Sequence, residues 1–230
     1  MYLAIDNCTN FASVCLYDKG ILYENTWLAK EQHTTTTLPT IEKAMLSLGH
    51  NFNELKGIVC TKGPGSFNGT RAGMSLGLGL GMSLNIPVVF VSAMEENALV
   101  FKDSGHDIVC LMNAGRNEVY TASYKSQKGT LINICEEHIS TLDEILCKII
   151  TPTIFCGEYV NEIGNVIKEK LQDLAIIATP AQNIRRASFL IEAGLSKFNE
   201  QKNEAPAPLY LRKPPITLSS KNIGLPKQDI

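Results

Sequence analysis

The stretch KGPGSFNGTRAGMSLGLGLGMSL occupies residues 62–84 and joins a glycine-rich turn to a long uncharged segment. No charged residue occurs from Ala72 to Leu84, which predicts a helix that is covered on all sides. Residues four apart stack into rows on such a helix. One bulky row is Met74, Leu78 and Met82, and the nearly opposite bulky row is Leu76, Leu80 and Leu84.

Small residues lie between the bulky rows, above all Gly73, Gly77 and Gly81. Each glycine costs a helix about 1 kcal/mol relative to alanine, so we expect these positions to allow close packing of another backbone. The two bulky rows predict cover on both sides. One row can pack on a sheet, and the other is covered either by a partner protein or by the neighbouring helix of the same domain.

The turn before this helix matches no phosphate-binding template. A Walker A loop needs a lysine after its second glycine, whereas Gly69 is followed by Thr70 and Arg71. The fingerprint GxGxxG is missed by one residue. A structural turn capped by Ser66 or Asn68 is favoured over an anion site at the helix N-terminus. The motif loop consists of Gly63, Pro64, Gly65, Ser66, Phe67 and Gly69.

The rest of the first half alternates strands with helices. Apolar runs before residue 29 predict three antiparallel strands. Leu38, Ile41 and Met45 have helical spacing, and Pro39 predicts that this helix begins near Thr37 because proline is tolerated in the first turn. The order β-β-β-α-β-α-β-α predicts a mixed sheet flanked by helices.

A polar segment near residues 102–107 predicts a domain boundary, after which a similar order of elements repeats. A short strand at 131–134 is expected there, followed by a helix through Ile150 whose capping box pairs Ser140 with Asp143. We therefore predict an α/β protein of two related domains with a C-terminal extension. The predicted divisions are 1–102, 103–200, and a linker and tail over 201–230.

The composition, 44% hydrophobic and 19% charged, is that of an ordinary globular protein. A net charge of −2 gives no general nucleic-acid or membrane signal, so the main basic surface for any RNA client is expected elsewhere. Seven cysteines without a CxxC pair predict buried free thiols in a reducing compartment. With no signal peptide and no run of about 20 apolar residues, a cytoplasmic protein is predicted.

Four other side chains could take part in chemistry. Asp6 ends the first strand, but no second carboxylate is evident from spacing, so a turn or capping role is favoured over a metal site. His33 lies in a polar run and is expected at the surface, and no two histidines have helical metal-binding spacing. Arg116 and Glu118 lie between two strands, where a hairpin is favoured over a ligand or interface site.

Motifs along most of the chain resemble those of the TsaB (YeaZ) family. GPGSFNGTRAG, residues 63–73, resembles the family's GPGSFTGLRIG and is the most specific match. LAIDNCTNFASVCLYDKG is similar to the family's opening hairpin, and EQHTTTTLPTIEKAM is similar to the start of its first helix. IPVVFVSAMEENA, NAGRNEVY and the LYLR of residues 209–212 resemble further family segments in the family's order.

The resemblance implies a duplicated actin/Hsp70-like (ASKHA, ribonuclease H-like) fold. It also implies a role in forming N6-threonylcarbamoyladenosine in certain tRNAs, with tRNA contacted only indirectly. In that system a TsaB-like subunit is the partner of the paralogous transferase TsaD, and the ATPase TsaE joins the complex. No cofactor is therefore expected on this chain, and ATP and a metal are expected on the partner subunits. Because the sequence lacks a histidine metal motif, it is similar to a non-catalytic copy.

Family members pair through two N-terminal helices, either with TsaD or as homodimers. Here those helices are expected at about 37–48 and 70–84. The glycine row of the second helix is expected to pack closely. The resemblance thus implies a partner interface that includes Leu38, Ile41, Met45, Arg71, Met74, Leu78 and Met82.

Several positions depart from the family pattern. Asn68 stands in place of a threonine, Asn113 in place of an aspartate and Gly115 in place of an arginine. These departures weaken a nucleotide or metal site more than they weaken the fold assignment. Two other functions stay open. One is an ATP-dependent small-molecule kinase-like enzyme, which needs an acid pair at the cleft, and the other is a metalloprotease-like activity, which the unpaired histidines oppose.

Overall fold

A computed structural model of the protein describes residues 1–30, 32–199 and 206–212. Its first half contains five strands and three α-helices. In chain order they are β1 (Tyr2–Asp6), β2 (Phe11–Tyr17), β3 (Ile21–Leu28), α1 (His33–Ser47), β4 (Gly57–Thr61), α2 (Phe67–Leu84), β5 (Val88–Val91) and α3 (Ala93–Leu99).

The second half of the chain has the same order of elements. They are β6 (Asp107–Gly115), β7 (Glu118–Gln127), β8 (Thr130–Thr141), α4 (Leu142–Leu146), β9 (Thr153–Cys156), α5 (Val160–Leu171), β10 (Ala175–Ile177) and α6 (Ala187–Asn199). Short 3₁₀ turns occur at Phe52–Glu54 and Gln172–Leu174.

Each half forms one five-stranded mixed sheet, and the two sheets have the same topology. The first sheet has the order β3-β2-β1-β4-β5 and the second has the order β8-β7-β6-β9-β10. In both sheets the first strand of the half is antiparallel to the second strand and parallel to the fourth. The predicted duplicated α/β fold is confirmed.

The helices cover the sheets in a crossed arrangement. Helices α1 and α2 cover one face of the first sheet, and α6 from the second half covers the opposite face. Helix α3 from the first half packs on the second sheet, whose other face is covered by α4 and α5. The last helix of each half therefore packs on the sheet of the other half. The predicted division at residues 102/103 stays a prediction.

Helix α1 begins at His33, so the prediction of a start near Thr37 is wrong. Pro39 lies inside the helix, where it provides no N–H for the carbonyl of Thr35. Thr35 and Pro39 are both exposed, so water can satisfy that carbonyl. The hydroxyl of Thr37 donates to the His33 carbonyl at 2.8 Å, which adds a side-chain bond within the first turn.

Strand β8 spans 12 residues, far more than the predicted strand at 131–134. It is an edge strand that is largely exposed, so its sequence lacks the apolar alternation of a half-buried strand. The capping box of α4 pairs Thr141 with Glu144, one residue after the predicted pair of Ser140 and Asp143. The Ser140 hydroxyl instead donates to Glu144 Oε2 at 2.7 Å, and α4 ends well before residue 150.

The cysteines are free, and five of them are buried, as the sequence predicts for most of them. The exceptions are Cys135 and Cys147, which are exposed. Within the described ranges, no helix combines the length and apolar character needed to cross a membrane. The predicted linker and tail lie outside the described residues apart from residues 206–212.

Candidate functional site

The motif loop is a tightly packed turn at the start of α2. A Cβ on Gly65 would lie 2.0 Å from the Cys8 carbonyl oxygen, and a Cβ on Gly69 would lie 2.1 Å from the Asn7 carbonyl oxygen. Only glycine allows the loop to approach the end of β1 this closely. The Ser66 hydroxyl accepts a hydrogen bond from Gly69 N–H at 3.2 Å, which confirms Ser66 as the cap. This packing accounts for the loop glycines without a ligand.

The glycine row of α2 faces the first sheet. A Cβ on Gly77 would lie 2.2 Å from Cys60 Sγ, and a Cβ on Gly81 would lie 2.3 Å from Val88 Cγ2. At Gly73 the distance to the Asn7 Cβ would be 3.1 Å. The row packs closely, mainly against the side chains of Asn7, Cys60 and Val88, and at Gly81 also against the Ile86 carbonyl oxygen at 3.2 Å.

The opposite side of α2 presents small residues to solvent. Ser75, Gly79 and Ser83 are exposed, and a Cβ on Gly79 would meet nothing within 4 Å. The bulky rows therefore lie on the two flanks of the helix, with Met82 exposed near its C-terminal end. The exposed residues of α2 beyond its first turn, hereafter the α2 face, are Arg71, Ser75, Gly79, Met82 and Ser83.

The structure narrows the predicted interface. Ile41, Met45 and Met74 are buried in the core between α1, α2 and the sheet, so they cannot contact a partner in this arrangement. Their burial follows from the glycine row, which draws α2 onto the sheet. Leu38 and Leu78 are partly exposed. Of the predicted residues, those with fully exposed positions are Arg71 and Met82, the latter with 82% of its surface accessible.

Leu46 on α1 is an exposed apolar residue that the sequence analysis did not single out. Its surface is 81% accessible. It follows Met45 directly, and a helix turns neighbouring side chains about 100° apart, so it lies off the buried row of α1. Leu46 could have been identified in the sequence as an apolar residue on the otherwise polar side of the α1 pattern.

The C-terminal segment 206–212 lies beside the N-terminus of α2. Leu209 N–H donates to the Lys62 carbonyl at 2.7 Å. The Tyr210 ring stacks on Phe67 with centroids 5.1 Å apart, and the Arg71 guanidinium lies 4.4 Å from the centroid of the same Phe67 ring. The motif-like LYLR segment thus fixes the start of α2.

A buried cluster of charged side chains lies where the two halves meet. Arg185 Nε donates to Asp6 Oδ2 at 2.8 Å, and Arg185 Nη2 donates to Thr9 Oγ1 at 2.8 Å. Arg185 Nη1 also lies 3.1 Å from Glu158 Oε1. Asp6 ends β1, Glu158 follows β9 and Arg185 precedes α6, so this cluster joins elements of both sheets.

The carboxylates that the sequence analysis did not find beside Asp6 are Glu158 and Glu96 of α3. Burial and the negative charge of Asp6 raise the pKa of Glu96 well above its ordinary value. Its Oε2 lies 3.8 Å from Arg185 Nε, too far for a hydrogen bond, and its Oε1 has no partner among the described residues. Glu96 is therefore a buried acid whose surroundings favour the neutral form.

Asp6 has the opposite character. Burial alone would raise its pKa, but the charge of Arg185 and the hydrogen bond from Cys8 N–H at 2.9 Å lower it below the ordinary value. The Cys8 bond is the turn role that the sequence predicted for Asp6. The ion pair with Arg185 is a second role, which the sequence analysis missed.

His33 is buried, so the prediction of a surface position is wrong. It packs beside the motif loop, where its Cδ2 would lie 3.3 Å from a Cβ on Gly69. Burial lowers the pKa of His33, and its Nδ1 has no hydrogen-bond partner in the described chain. The neighbouring polar residues Thr34 and Thr35 are exposed, which is why the local sequence resembles a surface run.

The segment around Arg116 is a hairpin turn between β6 and β7, as predicted. Arg116 and Asn117 both have left-handed backbones, with φ of 58° and 61°, which is the conformation of a tight two-residue turn. Glu118 forms an ion pair with Arg212 of the C-terminal segment. Among the described residues, no group of three or more His, Cys, Asp or Glu side chains is placed to hold a metal.

The crossed helices and the two five-stranded mixed sheets of equal topology define a duplicated α/β protein. Residues 25–223 match the family described as "TsaD: tRNA N6-adenosine threonylcarbamoyltransferase". The chain belongs to this family, and within it to the TsaB (YeaZ) proteins.

Sequence relatives are named tRNA threonylcarbamoyladenosine biosynthesis protein TsaB. That of Bacillus subtilis (strain 168) is 28% identical over 199 residues, which cover 85% of this chain and 87% of the relative. That of Buchnera aphidicola from Acyrthosiphon pisum is 29% identical over 178 residues, covering 75% of this chain and 69% of the relative.

A solved structure of YeaZ from Pseudomonas aeruginosa has the same fold. Its TM-score is 0.73 at 21% identity, and the match covers 90% of this chain and 99% of that chain. A second Pseudomonas aeruginosa protein, described as similar to peptidase YEAZ, has a TM-score of 0.77 at 20% identity. It covers 92% of this chain and 99% of its own.

Proposed function

We propose that this chain is a non-catalytic, activating subunit in the formation of tRNA N6-threonylcarbamoyladenosine and acts by docking a TsaD-type transferase. The names of its relatives support the pathway. The match to the TsaD family supports a partner of the same fold, because paralogous subunits commonly pair through equivalent surfaces. The docking surface is the α2 face with Leu38 and Leu78 at its margin.

The α2 face is the observation that carries this proposal. Its small residues, Ser75, Gly79 and Ser83, leave the helix backbone open to close approach by a second helix. Met82 stands beside them as a large exposed apolar side chain that a partner can bury. Because the same face is available to a second copy of the chain, a homodimer and the heteromeric complex would compete for it.

The buried charge cluster supports the non-catalytic part of the proposal. An enzyme that acts on metal-bound phosphates needs acids that are free to hold the cation. Here Arg185 already supplies the positive charge for Asp6 and Glu158. No observation favours the kinase-like or the metalloprotease-like alternative. Calorimetry of the isolated chain with magnesium and ATP should give no micromolar binding, and micromolar binding would favour the kinase-like enzyme.

ATP and metal chemistry are assigned to the partner subunits, a TsaD-like transferase and a TsaE-like ATPase. The net charge of −2 supports an indirect role toward tRNA, since phosphate binding relies on clustered positive charge. The free thiols among the described residues support work in a reducing compartment, the cytoplasm.

Reconstitution of tRNA modification tests the function. The TsaD-type and TsaE-type proteins of the same organism would be incubated with tRNA, ATP and a preformed, activated threonylcarbamoyl donor, with and without this chain. The modified nucleoside would be quantified by mass spectrometry. We expect modification only when the chain is present. Full modification without the chain, or modification by the chain alone, would overturn the proposal.

A further inference from the structure

A groove on the second sheet lies apart from the α2 face and the charge cluster. In the first half, the helix that follows the three antiparallel strands is α1, with 15 residues. Its counterpart in the second half, α4, has five residues. The short α4 leaves the sheet open beside β7 and β8, and a cavity of about 370 Å³ lies there.

The walls of this groove are mostly apolar. Its lining includes Ile134 of β8 and Ile150 after α4, which are exposed at the mouth, the latter with 85% of its surface accessible. Val109, Ile145 and Ile149 also line it. A concave site of this size that combines apolar walls with convergent polar side chains is typical of small-molecule binding.

A polar group without a partner lies within the lining. Thr121 is 2% exposed, and its hydroxyl has no hydrogen-bond partner among the described residues. A buried hydroxyl without a partner is unfavourable, and a ligand oxygen or N–H group in the groove would satisfy it. Opposite Thr121 the β7–β8 pairing contains a bulge, which places Cys135 Sγ 3.7 Å from His138 Nδ1 in the same lining. Bulges often redirect side chains at binding sites.

The charges of the lining favour an anion. Lys125 and Lys148 both line the groove, and neither forms an ion pair with a described carboxylate. The carboxylate of the lining, Asp107, already accepts a hydrogen bond from the Thr151 hydroxyl at 3.1 Å. Lys125 lies opposite Asp107 in the β6–β7 pairing and the charge of Lys148 acts on Glu144, but neither ammonium group forms a close ion pair with a described residue. Both can therefore meet a ligand with an apolar body and one negative head.

We propose that this groove binds a small amphiphilic anion, with the apolar body against the isoleucines, a polar atom at the Thr121 hydroxyl and the anionic head at Lys125 and Lys148. The groove shares no lining residue with the α2 face or the charge cluster, so ligand binding there is independent of docking.

Fluorescence titration with 8-anilinonaphthalene-1-sulfonate, which has an apolar body and an anionic head, tests the proposal on the full chain. Octanoate, octyl glucoside and octylamine would then be used as competitors with the same apolar tail and different heads. We expect octanoate to displace the probe at concentrations about tenfold lower than the other two, the effect of a charge-assisted contact. Equal displacement by all three would overturn the proposal.

Two variants locate the site. Lys148→Glu should weaken octanoate about tenfold, and Thr121→Val should weaken it while leaving the thermal midpoint of the free protein unchanged or higher. Lys43→Glu, which reverses the charge of an exposed residue on α1, is the matched control and should bind octanoate like the original chain. Circular dichroism melting verifies the folding of each variant. Unchanged octanoate binding by both folded groove variants would contradict the assignment.

Discussion

Arg185 connects parts of the chain that are far apart in the sequence. It pairs with Asp6, 179 positions away, and with Glu158 after β9. Neither pairing has a signature in residue spacing, because the partners meet only when the two sheets come together. The sequence could identify Asp6 as a strand-end acid, but its ion pair could not be predicted.

Replacing Arg185 should destabilise the fold strongly. Arg185→Ala leaves Asp6 buried without its counter-ion, and breaking a buried pair from one side costs about 3–5 kcal/mol. Arg186→Ala is the neighbouring control, since Arg186 pairs with Glu24 through a side chain that is 54% exposed. Glu24 is only 13% exposed but keeps the hydrogen bond from Ser188 N–H at 2.8 Å, so the loss of Arg186 should cost less than the loss of Arg185. Urea unfolding of both variants measures the difference, and equal losses would contradict the buried pairing.

Glu96 should make the free energy of unfolding decrease as pH rises. Its pKa in the folded state is raised above the ordinary 4.5 by burial and by the charge of Asp6. The stability that it contributes is therefore complete below the unfolded pKa and is lost as pH rises through the folded pKa. Glu96→Gln keeps the shape of the neutral acid and removes this titration.

The free energy of unfolding of Glu96→Gln should accordingly fall less than that of the original chain as pH rises from the ordinary 4.5 through the raised folded-state pKa of Glu96. Urea unfolding at several pH values measures this difference. Glu95→Gln serves as the control, because Glu95 is partly exposed and pairs with Lys197. A parallel pH dependence of Glu96→Gln and the original chain would argue against a buried, protonated Glu96.

At the scale of elements, the sequence predicted the existence of α2 and its rows but not their orientation. Two bulky rows and one glycine row fit a helix in more than one rotation. The glycine row faces the sheet because only glycines allow the α2 backbone to lie this close to Cys60 and Val88. Local patterning also missed the length of β8, since an exposed edge strand has no alternation to detect.

Two glycines of α2 should respond oppositely to alanine. At Gly77 the new Cβ would lie 2.2 Å from Cys60 Sγ, so Gly77→Ala should destabilise by about 1–3 kcal/mol through overpacking. At Gly79 nothing lies within 4 Å, so Gly79→Ala should stabilise by up to about 1 kcal/mol through helix propensity. Chemical denaturation compares the two. A destabilised Gly79→Ala alongside a neutral Gly77→Ala would reverse the assigned orientation of α2.

At the scale of the molecule, the duplication could be predicted from the repeated order of elements. The crossed helices could not, because nothing in the local pattern of α3 or α6 indicates which sheet it covers. Gly194 of α6 illustrates the contact, since a Cβ there would lie 2.3 Å from Val59 Cγ2 on the first sheet. Each half therefore contributes a helix to the core of the other half.

The crossed helices predict that the halves do not fold alone. A fragment of residues 1–102 lacks α6 and exposes the apolar face that α6 covers. It should show weak near-ultraviolet circular dichroism and bind a hydrophobic dye, and adding the fragment 103–230 should restore ordered packing. A cooperative thermal transition of the isolated first fragment would contradict interdependent halves.

The dissociation constant for the TsaD-type transferase of the same organism measures whether the α2 face docks that protein. Gly79→Arg and Met82→Asp place charge on exposed positions of the face, whereas a charge at the buried Met74 would disturb the core. Ile150→Asp, in the second half, is the control. We predict that both face variants keep the original thermal midpoint and bind at least about 100-fold more weakly, a loss of about 2.7 kcal/mol, while the control binds normally. If folded Gly79→Arg and Met82→Asp bind the transferase with the affinity of the original chain, the α2 face is not the docking surface.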